Sequence, residues 1–287
     1  DNQTWPERIS YNRDPVAYWA DEIPRWSPDG KWLAFTLKDH VHLSPTKGGL
    51  PQKISDFASS ASSPMWMPDS QHLIISVERY EATQLLLTDL EGAWPKSLTN
   101  DKSGDAWDAR PSPDGKSIAY VFRPFEDLRR LDIRLINLEN GHNSPLVSQP
   151  EEKNHTPRWA PDSSRLAFLS QRTGFFEIWL ADPQTGQITQ LTNLGSDVSE
   201  IAWSPDGSKL ALVINRHGSF ELALLTVETA EIHVLHNLPG VHANPNWSPD
   251  GKFLTFEFES SIQPPDLYSI QLDNGEIKQL TFSMPAA

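Results

Sequence analysis

The sequence has no cysteine among its 287 residues. That absence excludes disulfides, thiolate metal ligands and a cysteine nucleophile from this chain. Long apolar runs are also missing, and none approaches the ~20 residues that a membrane-spanning helix needs. Acidic residues outnumber basic ones: the chain has 24 Lys and Arg and 38 Asp and Glu, which gives a net charge of −14. A nucleic acid partner would require a basic surface. We therefore expect neither a nucleic acid nor a membrane as partner.

The hydrophobic fraction of 38% is sufficient for a sizeable core, and one five-residue motif recurs along the chain. The motif begins at Trp26, Trp66, Pro111, Trp159, Trp203 and Trp247, and its first copy reads Trp-Ser-Pro-Asp-Gly. The motif prolines are spaced 40, 45, 48, 44 and 44 residues apart. A period in this range is typical of a repeat architecture.

Each copy of the motif predicts a turn followed by a strand. Proline presets φ, Asp bonds nearby backbone N–H groups and Gly accepts positive φ. Two apolar columns follow, five and seven residues after each motif proline: Leu33, Leu73, Ile118, Leu166, Leu210 and Leu254, then Phe35, Ile75, Tyr120, Phe168, Leu212 and Phe256. A spacing of two places both columns on one face of a strand.

The repeat predicts an all-β, six-bladed β-propeller of four-stranded antiparallel blades. The blades are expected at about 21–60, 61–104, 105–152, 153–196, 197–240 and 241–287. Residues 1–20 remain unassigned, and a seventh, degenerate blade built from them is the alternative. The motif tryptophans are expected to pack between blades, where their large apolar rings are buried.

These Trp-Ser-Pro-Asp-Gly repeats resemble those of TolB-like propellers and of propeller domains in the prolyl oligopeptidase family. The stretch from Pro264 to Tyr268, followed by 275–281 and 283–285, is similar to the propeller end of acylaminoacyl-peptidase-like members. The resemblance implies a non-catalytic propeller of a serine peptidase. Such a propeller gates and orients peptide substrates for a C-terminal α/β-hydrolase domain of the same parent chain.

The chain alone is expected to be inactive, because it contains no G-x-S-x-G nucleophile elbow. We expect no cofactor and no metal. The face that would meet the hydrolase domain is exposed in the isolated chain, which makes a homo-oligomer conceivable. The composition does not fix the compartment; we favour a cytoplasmic location and keep a periplasmic one open.

In the resembled peptidases, the loops between second and third strands face the hydrolase domain. The corresponding loops here supply five candidate substrate-binding residues: Arg123, Phe125, Glu126, Arg172 and Arg216. An arginine beside an aromatic side chain can hold a peptide carboxylate or carbonyl and pack an apolar group. The competing interpretation is a solvated loop charge, or an arginine bonded to a neighbouring blade.

A polar column also precedes the motif. Three residues before it stand Ser63, Asp108, Thr156, Glu200 and Asn244, with Ile23 as the exception, and one residue before it stand Arg25, Arg110 and Arg158. First strands of propellers are innermost, so these groups should approach the central channel. We expect the carboxylates to pair with the arginines as a structural network. A cation held by Asp108 and Glu200 is the alternative.

Two further function classes compete with the peptidase propeller. A free-standing TolB-like propeller would be a protein-binding module. A propeller with its own active site, such as a lyase, would place metal ligands or acid–base residues around the channel, and the sequence shows no convincing set.

Overall fold

The computed structural model describes residues 24–57, 60–79, 81–93, 95–236 and 238–283. All regular structure in this part of the chain is β, and it holds no helix that could cross a membrane. Residues 1–20, and with them the alternative seventh blade, lie outside the described residues.

Four sheets contain four strands each, joined in sequence order. The first contains Arg25–Trp26 (β1), Trp32–Leu37 (β2), His40–Pro45 (β3) and Gln52–Lys53 (β4). The second contains Ala61–Trp66 (β5), His72–Arg79 (β6), Ala82–Asp89 (β7) and Lys96–Ser97 (β8). The third contains Gly104–Pro111 (β9), Ser117–Pro124 (β10), Asp132–Asn137 (β11) and Asn143–Val147 (β12). The fourth contains Asn154–Trp159 (β13), Leu166–Ser170 (β14), Glu177–Ala181 (β15) and Ile188–Gln190 (β16).

The fifth sheet has eight strands. They are Val198–Trp203 (β17), Lys209–Arg216 (β18), Ser219–Thr226 (β19), Ile232–His236 (β20), Val241–Trp247 (β21), Phe253–Ser260 (β22), Gln263–Gln271 (β23) and Ile277–Gln279 (β24). Its two halves are antiparallel within themselves, and the parallel pair of Phe220 with Val241 joins their strand ladders. Several four-stranded antiparallel sheets in an all-β chain are consistent with the predicted β-propeller.

Successive sheets bury their faces against each other. In β6, Leu73 and Ile75 pack into a cluster shared with the first sheet, whereas Ile74 packs into a cluster shared with the third. The same division holds in β18, where Leu210 and Leu212 face the preceding sheet. From the second sheet onward, the two predicted apolar columns are therefore the face turned toward the preceding strands. The alternate positions cover its successor, because side chains alternate along a strand.

The motif turns form as predicted. The Ser27 hydroxyl donates to the Asp29 carboxylate at 2.7 Å, and that carboxylate accepts the backbone N–H of Lys31. Gly30 closes the turn with φ of 71°, a conformation that a side chain disfavours. Ser70 and Ser163 replace this glycine at φ of 58° and 61°. Their hydroxyls accept the backbone N–H groups of Asp29 and Asp114 from the preceding sheet, which links neighbouring turns.

Four of the motif tryptophans join neighbouring sheets, as predicted. Trp66, Trp159 and Trp203 donate their indole N–H groups to backbone carbonyls of the preceding sheet at 2.9 Å, and Trp247 donates to Ala202 in the preceding half of the eight-stranded sheet at 3.1 Å. Trp26 differs, because its side chain is 64% exposed. A motif tryptophan therefore links neighbouring groups of strands where a backbone carbonyl is available to accept its indole N–H.

Candidate substrate face and central channel

The first strand of each sheet after the first carries an irregularity, and so does the strand that opens the second half of the eight-stranded sheet. Pairing shifts register in β5, β9, β13, β17 and β21. Within four of these bulges Ser63, Asp108, Thr156 and Asn244 adopt positive φ, between 48° and 57°. Such a bulge turns a side chain out of the regular alternation. The polar column noted in the sequence is therefore a column of bulges, on strands that contact one another in succession around the channel.

An arginine–carboxylate network lies along this column. Arg110 approaches one oxygen of Asp108 with both Nε, at 2.8 Å, and Nη2, at 2.6 Å. Arg158 reaches the other oxygen at 3.5 Å, from the next sheet. These contacts confirm the expected pairing of Asp108 with neighbouring arginines. Within the described residues, no group of three or more His, Asp and Glu side chains is placed to hold a metal ion.

Arg25 makes this a cluster of three guanidinium groups. Burial lowers the pKa of Arg25 to about 9, and the charges of Arg110 and Arg158 lower it further against the opposing effect of Asp108. Burial and Arg110 likewise lower the pKa of Arg158 to about 10. Burial would raise the pKa of Asp108, yet Arg110 and Arg158 hold it below its ordinary value. At neutral pH Arg25, Arg158 and Asp108 are therefore charged.

Two other polar groups belong to the channel strands. Glu200 accepts the backbone N–H of Asn244 at 2.8 Å, across the junction between β17 and β21. Burial raises the pKa of Glu200, while that hydrogen bond and Arg158 oppose the rise. His155 precedes the bulge in β13, bonds Thr156 at 2.7 Å and packs edge-on against Phe176. Burial lowers the pKa of His155 to about 4, so its imidazole is neutral at physiological pH.

The channel opens into a groove at its motif end. This groove of about 470 Å³ is lined by Pro28, Met65, Trp66, Pro68, Arg110, Pro111, Pro113, Arg158, Trp159 and Trp203. Its walls are rings and prolines from the motifs, and its two charged members are both arginines. The groove therefore combines apolar walls with positive charge.

The opposite end of the sheets carries the second-to-third-strand loops and is called the loop face. Topology places it there, because the motif turns occupy the other end of every second strand. In the third sheet, Arg123 pairs with Asp105 at 2.6 Å and lies 5.6 Å above the Trp107 ring. Its side chain is still 42% exposed. Glu126 is 80% exposed and lies 3.9 Å from Arg130.

The other two candidate arginines are held differently. Arg172 is only 17% exposed, bonds Ser170, Asn154 and Glu152, and covers the Trp179 ring at 4.5 Å. Arg216 pairs with Glu221 at 2.9 Å and is 42% exposed. Each of the three arginines is thus held by acidic or polar partners of its own: Asp105 for Arg123, Glu152 for Arg172 and Glu221 for Arg216.

Four exposed apolar side chains lie on the loop face. Phe125 is 42%, Leu128 65%, Phe175 45% and Ile262 85% exposed, and all four lie in second-to-third-strand loops. Sequence reasoning named Phe125 as a candidate and did not name Leu128, Phe175 or Ile262. The signal for those three was a large apolar residue within a predicted loop, where polar residues are expected.

The profile of the TolB beta propeller domain matches residues 126–286, more than half of the chain. The chain therefore belongs to the TolB beta-propeller family.

Three relatives share part of this sequence. An uncharacterised protein of Agrobacterium fabrum is 28% identical over 178 residues, covering 60% of this chain and 58% of the relative. Peptidase YuxL of Bacillus subtilis is 26% identical, over 52% of this chain and 22% of its own length. Dipeptidyl-peptidase 5 of Porphyromonas gingivalis is 25% identical, over 64% of this chain and 28% of its own length. The matched part of this chain thus spans 58% or less of each relative.

Solved structures share the fold at low identity. TolB of Acinetobacter baumannii has a TM-score of 0.63 and 21% identity, over 88% of this chain and 61% of that protein. A prolyl endopeptidase has a TM-score of 0.73 and 15% identity, over 91% of this chain and 42% of that one. Oligogalacturonate lyase of Vibrio parahaemolyticus has a TM-score of 0.72 and 14% identity, over 91% and 77%. These likenesses show the fold alone.

Proposed function

We propose that this chain is the non-catalytic propeller of a serine peptidase of the prolyl oligopeptidase family. Its loop face would meet a C-terminal α/β-hydrolase domain of the same parent chain and restrict which peptides reach the active site. The observation that carries the proposal is that four exposed apolar side chains and the candidate arginines share the second-to-third-strand loops of one face. Exposed apolar groups rimmed by charges are typical of an interaction surface.

The relatives supply the second support. Two of the three are named as peptidases, and the regions that match this chain are less than a third of each. A propeller attached to a separate catalytic domain fits those proportions. The absence of a G-x-S-x-G elbow here is consistent with a nucleophile carried elsewhere in the protein.

Within this proposal, Arg123, Phe125, Glu126, Arg172 and Arg216 remain the candidate substrate contacts. Arg123 and Arg216 are the better placed, because their side chains keep 42% exposure despite their ion pairs. The buried bonding of Arg172 suits a residue that stiffens its loop. Phe125 and Phe175 offer apolar surface beside them, for a substrate side chain or for the hydrolase domain.

We also propose that residues 21–287 form six blades with the boundaries expected from the repeat. The eight-stranded sheet supports this division, because two four-stranded antiparallel groups meet there through one parallel pair. An experimental structure of the whole chain tests the number, since a seventh sheet built from residues 1–20 would contradict it.

The open reading frame beyond Ala287 provides the decisive test. We expect it to encode an α/β-hydrolase domain with a nucleophile elbow, and the whole protein to cleave peptide nitroanilides that the 287-residue chain leaves intact. In that protein, Arg123→Gln and Arg216→Gln should each lower kcat/KM about tenfold, the size of one charge-assisted hydrogen bond. Arg165→Gln on the motif face is the control. A reading frame without such a domain, or hydrolysis by the chain alone, would refute the proposal.

A free-standing protein-binding module is the second candidate function. The family match and the fold shared with TolB favour it. It would use the same loop face, so the two candidates differ in whether a hydrolase domain is encoded with the chain.

A further inference from the structure

The first sheet has an open face. Leu33 and Phe35 are its members of the two apolar columns, and both are only half-buried. Their ten equivalents in the later repeats are at most 1% exposed and lie in clusters shared with the preceding strands. Among the described residues, those five clusters include neither Leu33 nor Phe35. The first sheet therefore carries core-type side chains that the described residues leave partly exposed.

The final strands, β21 to β24, are a poor cover for that face. On the outer side of β22 stand Thr255 and Glu257, at positions where the fourth sheet has the fully buried Ala167 and Leu169. Thr255 and Glu257 both remain partly exposed. A carboxylate packed against apolar side chains loses hydration without gaining a partner. The cover for the open face is therefore expected to be an apolar segment from elsewhere.

In the other repeats, one fourth-strand position supplies part of this cover. It is the apolar residue directly before a Ser, Thr or His, and it packs into the cluster shared with the next strands: Ile54, Leu98, Val147, Leu191 and Leu235. The following hydroxyl marks one register, since Ser55, Thr99 and Thr192 each accept a third-strand backbone N–H at 2.9 Å. The apolar position therefore faces the two columns of the next repeat.

The N-terminal segment contains the same fourth-strand pattern. Residues 6–10 read PERIS and residues 51–55 read PQKIS, so the proline, the isoleucine and the serine coincide. Both segments have a basic residue directly before the isoleucine. Ile9 precedes Leu33 by 24 residues, five more than the corresponding spacing in the second repeat, so the connection is long enough. Residues 6–10 lie outside the described residues, and their sequence is what assigns them to this position.

We propose that residues 6–10 dock on the open face of the first sheet and place Ile9 against Leu33 and Phe35. Trp26 stays outside this contact, because it lies on the innermost strand, at the opposite edge of the sheet from the fourth-strand position. One strand on this face leaves the number of four-stranded sheets unchanged. The docking also does not depend on the proposed peptidase function, since it joins two parts of the chain itself.

The composition of the segment suits this placement. Gln52 and Lys53, the equivalents of Glu7 and Arg8, are exposed, whereas Ile54 is 2% exposed. The segment therefore buries its one large apolar side chain and leaves its two charges in water. Removing apolar surface of both partners from water is the driving force of the docking.

Thiol labelling of the 287-residue chain tests the docking, because a chain without cysteine accepts a single reporter. Leu33→Cys places the reporter on the open face, and Phe35→Cys replaces it if that variant fails to fold. Adding Ile9→Asp should raise the labelling rate about tenfold, since it removes the burial of one isoleucine side chain. Deleting residues 1–20 should raise the rate at least as much. Leu280→Asp changes the same motif position in the final strands, where the side chain is 45% exposed, and should change nothing.

The labelling rates also distinguish other occupants of the face. Equally fast labelling with and without Ile9→Asp would show an uncovered face, and equally slow labelling would show a different cover. A slow rate that falls further with protein concentration would identify a second copy of the chain as that cover. Each of these results overturns the proposal. Thr255→Cys is the control reporter, and an increase there as large as at position 33 would mean general loosening instead of undocking.

Discussion

The motif turns and the channel strands repeat with the same period but differ in what is repeated. At the turns the same side-chain hydrogen bond recurs: Ser27, Ser112, Ser204 and Ser248 each bond the motif aspartate at 2.6–2.7 Å. At the bulges only the geometry repeats, since the residue there changes from Ser63 to Asp108, Thr156 and Asn244.

This difference separates positions that need particular groups from positions that need only a backbone conformation. Each turn must join two sheets, so each requires the same groups. A bulge needs only a residue that accepts positive φ, so its side chain can vary from sheet to sheet. Substitutions at the motif should therefore change stability more than substitutions at the bulges.

The largest effect is expected at a motif tryptophan. Trp159→Ala should lower the free energy of unfolding by about 3–5 kcal/mol, because it leaves a cavity between two sheets and removes the indole hydrogen bond to Arg110. Trp159 is 9% exposed, whereas Trp26 is 64% exposed. Trp26→Ala is the matched control and should cost less than about 1 kcal/mol. Chemical denaturation of both variants measures the difference; equal losses would show that exposure does not govern the role of the motif.

A second effect should appear on acidification. Burial lowers the pKa of His155 to about 4, and it does the same for His242 despite an opposing hydrogen bond from that ring to the Phe220 carbonyl. An unfolded histidine titrates near 6.5, so between pH 6.5 and 4 the unfolded chain binds more protons than the folded one. Stability should fall as the pH drops through this window, by up to about 3 kcal/mol for each histidine.

His155→Asn isolates one of these contributions. Unfolding of wild type and variant is followed from pH 7 to 4.5, above the range in which most carboxylates titrate. The variant should lose less stability than wild type over this range, and the difference between the two curves belongs to His155. Parallel curves would mean that the folded protein protonates His155 as readily as the unfolded chain does.

Much of the fold follows from the sequence, because it depends on local chemistry repeated at a fixed period. The alternation of Leu210 and Leu212 with Ala211 and Val213 predicts strands buried on both sides, and all four are fully buried. The sequence does not predict the exposure of Trp26, because the motif consists of the same residues whether or not a neighbouring sheet covers it.

The channel site was only partly predictable. The polar column is visible in the sequence, and Asp and Asn are residues that tolerate positive φ, but nothing local indicates a bulge. The meeting of Arg25, Arg110 and Arg158 depends on how separate sheets are arranged around the channel. Residues far apart in the chain come together there through tertiary structure alone, which a pattern of adjacent residues does not encode.

The smallest effect is expected where serine replaces the motif glycine. Ser163 combines a positive φ of 61° with a hydroxyl that accepts the Asp114 N–H at 3.1 Å. Ser163→Ala keeps the unfavourable φ and loses the bond, so it should cost about 1 kcal/mol. Ser163→Gly loses the same bond but relieves the backbone strain, so the two terms should nearly cancel. If both variants prove equally destabilised in denaturant titrations, the left-handed conformation carries no cost, and the hydroxyl alone explains serine at this turn.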